Sequence, residues 1–141
     1  MQEKTAGDER LTAAEAFAAV LYGAVAADGT VTHAEALALA HTLSRTSMFV
    51  GLAEPQMHAA LARARSFTRA RGLEAMLAYA AHAVPQDLRE TAYARCVDLV
   101  MADDIVNPPE LAYLRKAQTA LGVSDGTALK IVEVVKILNK G

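Results

Sequence analysis

The chain has 141 residues, a length that suits one domain around one core. Hydrophobic residues make up 53% of it, many of them alanine, while aromatics are 5% and tryptophan is absent. The net charge of −2 excludes a general electrostatic attraction to nucleic acid or to an anionic membrane, and the single Cys96 excludes an internal disulfide.

The opening residues, 1–11, are polar and charged and read as a flexible tail without an apolar signal region. The rest, 12–141, reads as one helical domain. Phe17, Val20, Leu21, Ala24 and Val25 recur at the spacing of one helix face, and Thr12 with Glu15 forms a capping box before them. This predicts a first helix over 12–28, ended by Gly29. A second is predicted over 33–47, with Ala36, Leu39, Ala40 and Leu43 inward. The stretch 48–54 reads as a packed connection. Pro55 suits the first position of a third helix over 55–71, which Gly72 breaks. Leu73, Met76, Leu77, Ala80 and Val84 mark a fourth helix. Pro85 restarts the chain into a fifth over 86–103, a sixth spans 108–121 up to Gly122, and Ser124 caps a seventh over 125–139. The seventh is apolar nearly all round, with Lys130, Glu133 and Lys136 as its polar stripe. That pattern predicts a central core helix, the other reading being a helix that also forms a partner interface. No run alternates as a strand would, and no apolar run reaches the ~18–20 residues that cross a bilayer.

A motif occurs twice. Ala27-Asp28-Gly29-Thr30-Val31-Thr32-His33-Ala34-Glu35 returns as Ala102-Asp103-Asp104-Ile105-Val106-Asn107-Pro108-Pro109-Glu110, an offset of 75 residues. The flanks agree: Leu21, Ala24 and Val25 align with Cys96, Leu99 and Val100, and Ala36 and Leu39 with Leu111 and Leu114. Each half is therefore a helix, this loop, a second helix and a third, with the fourth helix joining the halves. Much of the motif explains itself as helix chemistry. Thr32 and Asn107 suit the N-cap, Glu35 and Glu110 sit three positions on, and Pro108 suits the first turn. Gly29 can take the left-handed conformation, which Asp104 tolerates in the second copy. Val31 and Val106 are expected to pin the loops to the core. Asp28 and Asp103 have no such role: they fall in the last helical turn, where the dipole disfavours negative charge.

Those carboxylates carry the functional reading. If the two loops meet, Asp28, Glu35, Asp103 and Glu110 form an oxygen-ligand cluster for calcium, magnesium or manganese, with His33, Asp98 and Asp104 as further candidates. Asp and Glu lie seven positions apart, which is not the EF-hand spacing. The competing reading is two helix caps and nothing more.

The doubled Ala-Asp-Gly-x-Val-x-x-x-Glu pattern, over roughly 12–138, resembles the TerB-like tellurite-resistance family. The resemblance implies an all-α fold of seven helices with two pseudo-twofold-related halves. It implies a cytoplasmic bacterial protein of tellurite-resistance and stress systems that binds metal and works with membrane-embedded and other protein partners. The fold is also similar to the N-terminal domain of DjlA-type co-chaperones, although no J-domain is present here. Asp104 departs from the family glycine and adds a charge to the second loop.

The third helix is basic, with Arg63, Arg65, Arg69 and Arg71 as candidate partner-binding residues; only Arg65 and Arg69 share a face. The interleaved Phe67 gives little support to base stacking, and no nucleic-acid partner is expected. His33, His41, His58 and His82 lack the i, i+4 spacing of a helical metal site, and Cys96 lies on an apolar stripe with Ala92 and Val100, as a buried, inert thiol would. No nucleophile elbow, phosphate loop or dinucleotide fingerprint appears. The expectation is a non-enzymatic divalent-metal-binding or scaffold protein. The alternatives are a metal-dependent hydrolase built on the same carboxylates, or an adaptor at the inner membrane surface or on an acidic partner through the third helix. A homodimer is a further candidate assembly.

Overall fold

A computed structural model describes residues 11–46, 54–102 and 106–140. They form seven α-helices and one 3-10 turn, with no strand among the described residues: α1 Ala13–Ala26, α2 His33–Ser44, α3 Glu54–Arg71, α4 Leu73–Ala83, the 3-10 turn Gln86–Leu88, α5 Arg89–Val100, α6 Pro108–Leu121 and α7 Asp125–Leu138. The all-α architecture follows the periodicity closely.

Local chemistry sets the ends. At α1 the predicted capping box is present: Thr12 Oγ1 accepts from the Glu15 N–H at 3.1 Å, and Glu15 Oε1 accepts from the Thr12 N–H at 3.0 Å. Gly72 is the only residue between α3 and α4, and its φ of +94° reverses the chain in one step. The fifth helix begins later than predicted. After Pro85 the chain makes the 3-10 turn first, and Arg89 Nε donates to the Val84 carbonyl at 3.0 Å, tying the end of α4 to the start of α5.

The centre of the fold is α1. It contacts α2, α3, α4, α5 and α6, and its buried side includes Phe17, Val20 and Leu21 together with Ala16, Ala18, Ala19, Gly23 and Ala24. Small residues allow this, because neighbouring backbones approach closely wherever no large side chain stands between them. At Gly23 a Cβ would run into the Tyr113 ring, whose hydroxyl donates to the Val20 carbonyl at 2.6 Å. The repeat is visible in the packing: α2 contacts α5 as α6 contacts α1, and α7 covers α5 as α3 covers α1. That exchange is what a twofold relation of the halves requires.

Three expectations are corrected. The predicted core helix, α7, buries only Ala128 and Val135 and leaves Leu129, Val134, Ile137 and Leu138 54–72% exposed. Its main contact is α5, because the central place is taken by α1. An all-round apolar sequence can accept neighbours on every side, but it does not supply them. Ala36 is exposed while Leu39 and Leu43 are buried, so α2 meets the core through a narrower stripe than predicted. Val31 and Val106 stand at 38% and 36% exposure and do not anchor their loops in the core. The predicted connection at 48–54 lies almost wholly outside the described residues.

Candidate metal centre

The first loop starts where α1 runs out. Ala27 caps α1, the Gly29 N–H donates to the Ala26 carbonyl at 3.0 Å, and Gly29 takes φ +96°, the left-handed conformation its position requires. Asp28 therefore lies beyond the helix rather than in its last turn, which corrects the dipole argument. It also has a local role that spacing did not reveal: its Oδ1 accepts from the Thr30 N–H at 3.2 Å, an Asx-type turn. Thr32 then starts α2 with a full capping box, Thr32 Oγ1 accepting from the Glu35 N–H at 3.1 Å and Glu35 Oε1 from the Thr32 N–H at 2.8 Å. The second copy repeats it. Asn107 Oδ1 accepts from the Glu110 N–H at 2.9 Å, Glu110 Oε1 from the Asn107 N–H at 3.1 Å, and Pro108 occupies the first turn.

The twofold packing brings the first loop and the starts of α2 and α6 to one place. One carboxylate oxygen from each of Asp28, Glu35 and Glu110 lies within 4.8 Å of the other two. Glu35 and Glu110 are half-buried and Asp28 is exposed. Both glutamates thus turn a capping bond inward along their own helix while presenting a carboxylate to the other half. A cation placed among three carboxylates this close is attracted by all of them. The donors are all hard oxygens, which suits calcium, magnesium or manganese better than a soft metal, and the exposed side leaves room for water to complete the shell. Beside the cluster a cavity of about 300 Å³ opens between Ala27, Leu77, Pro109 and Tyr113, rimmed by an ion pair of Lys116 and Glu74 at 3.0 Å.

The other candidates separate. Asp103 and Asp104 lie outside the described residues. His33 is exposed at the start of α2 and is not among the three converging groups. Asp98 lies elsewhere, in a groove between α5 and α7. The four arginines of α3 have four different settings. Arg63 pairs with Glu15 at 3.2 Å, buttressing the α1 cap; Arg65 borders a cavity with His58 and Leu61; Arg69 is exposed; Arg71 stands over the Phe67 ring at 5.7 Å, and that ring stacks on Tyr79 at 5.2 Å. Cys96 is fully buried, with Sγ 3.6 Å from the Val20 carbonyl, and burial pushes its thiol far above the usual range. Spacing did not single out Arg45 and Arg95, which the fold brings together in the α5–α7 groove. Arg45 follows the last residue of α2 and Arg95 lies within α5, so no sequence period links them.

The model of the tellurite resistance protein TerB family matches residues 14–131. The chain belongs to the TerB family. The match runs from the start of α1 into α7 and takes in both acidic loops, so the TerB assignment covers the whole repeated unit and not one motif. Neither the curated proteins nor the solved structures yield a match. No helix among the described residues of this TerB protein is long and apolar enough to cross a membrane.

Proposed function

We propose that this TerB-family chain is a non-enzymatic protein that holds one divalent cation between its two halves, on Asp28, Glu35 and Glu110. The observation that carries the reading is the convergence of three carboxylate oxygens within 4.8 Å from two motif copies 75 residues apart in the sequence. A pair of unconnected helix caps does not need that meeting. A cation held there ties the α1–α2 loop to the start of α6, and so fixes how the halves sit on each other. The family assignment supports a setting among other proteins of a tellurite-resistance or stress system in the cytoplasm.

The capping role and the ligand role can be told apart, because glutamine serves in a capping box as glutamate does. Calorimetric titration with calcium, magnesium, manganese and zinc is run on the natural chain, on Glu35→Gln with Glu110→Gln, and on Asp28→Asn. The expected result is one cation per natural chain at up to about 1 mM metal, the weak end of oxygen-ligand calcium sites, with binding lost in variants that keep their helicity. No heat from the natural chain, or unchanged binding in the double glutamine variant, overturns the proposal.

A further inference from the structure

A groove of about 640 Å³ runs between α5 and α7 on a part of the surface that the acidic loops do not include. Its walls are two helices lined at matching intervals. Thr91, Ala94, Arg95 and Asp98 face it from α5, and Ile131, Val134, Val135 and Leu138 from α7. Positions i, i+3, i+4 and i+7 line it along about 10 Å, or two helical turns, of each helix. Thr91 and Ala94 are small and leave it open, while Val134 and Leu138 remain 54% and 72% exposed along its other wall. Its charges are Arg45, Arg95 and Lys130 against the single Asp98. None of the three cations has an ion pair among the described residues.

The geometry points to this groove as the docking site for an amphipathic, acidic helix of a partner protein. A groove between two helices, with apolar side chains along one wall, can take a third helix whose own apolar side chains at i, i+3 or i+4 and i+7 enter it. The unpaired cations on its rim select carboxylates beside that apolar stripe. Two other occupants fit worse. In a second copy, the outward stripe of α7 carries Lys130, Glu133 and Lys136, so its charge toward Arg45 and Arg95 is net positive and supplies fewer carboxylates than an acidic helix does. A lipid surface would attract the cations, but a bilayer does not enter a concave channel whose apolar groups are on its walls.

The test uses two fluorescein-labelled, helix-stapled peptides of about 14 residues, both with leucines at i, i+3 and i+7, one flanked by glutamates and the other by lysines. Anisotropy titrations are run with the natural chain, Val134→Asp, Leu138→Asp, Arg95→Glu and Leu129→Asp, each checked by thermal melting. The acidic peptide binds the natural chain at least about tenfold more tightly than the basic one. Val134→Asp and Leu138→Asp each weaken it by about tenfold or more, while Leu129→Asp, outside the groove, leaves it unchanged. Arg95→Glu shifts the preference toward the basic peptide, an effect that misfolding does not produce. Equal binding of both peptides, no binding of the acidic one, or loss on Leu129→Asp overturns the inference. So does a natural chain that sediments as a dimer while Val134→Asp sediments as a monomer, or one that binds vesicles of phosphatidylserine and phosphatidylcholine through Val134 and Leu138.

Discussion

Helices α1 and α7 are both rich in apolar residues, yet the fold uses them in opposite ways. α1 has nine buried residues and touches five other helices; α7 has two and rests mainly on α5. The difference lies in side-chain size. α1 is built from alanines and Gly23 with a few large anchors, so neighbours come close on every side, as Tyr113 does at Gly23. α7 carries Leu129, Ile131, Val132, Val134, Ile137 and Leu138, bulky on all faces, and three charged residues among them. Apolar content measures what a helix could bury, while residue size helps decide how many partners can reach it.

Substitutions in the two helices should separate sharply. Phe17→Ala, at a fully buried position of α1, should cost about 3–5 kcal/mol in urea unfolding. A loss below about 1 kcal/mol would mean that α1 is not the centre. Next in size is an alkaline effect from the groups packed against α1. Burial raises the pKa values of Cys96 and Tyr113 above their ordinary 9.0 and 10.0. The unfolded chain therefore releases these protons at a pH where the folded chain keeps them. Stability is flat below about pH 9 as far as these groups are concerned and falls above it, by up to about 1.4 kcal/mol per pH unit for each group. Cys96→Ala should delay the onset to the tyrosine range; an unchanged profile would contradict the burial of the thiol. The caps come third: Thr32→Ala and Asn107→Ala should each cost about 1 kcal/mol and by similar amounts, since both make the same reciprocal bonds. The smallest effect belongs to α7. Ile137→Gln, at a position 69% exposed, should change stability by no more than about 0.5 kcal/mol, and a core-sized loss would restore α7 to the interior.

The helices and both caps were legible in the sequence because their signals are local. Thr12, Thr32, Asn107 and Ser124 all cap where spacing placed them, and Gly29, Gly72 and Gly122 all take positive φ. Burial was less legible. Ala36, Val31 and Val106 satisfy the helical and loop patterns but face outward, because periodicity names a face without saying how wide the core beneath it is. At the candidate site, the residue types and the repeat were readable, while the meeting of Glu35 with Glu110 depends on how two halves dock. Asp28 shows the limit most clearly. Its turn-forming bond to Thr30 depends on α1 ending at Ala26, two residues earlier than the pattern suggested.

The central claim is that both loops serve one cation. The most direct measurement follows backbone amide resonances of the natural chain during titration with calcium and, for distance-dependent broadening, with a trace of manganese. Residues 28–35 and 107–110 should shift with one shared midpoint and broaden together. Shifts confined to one loop, separate midpoints for the two, or no change in either would contradict the account.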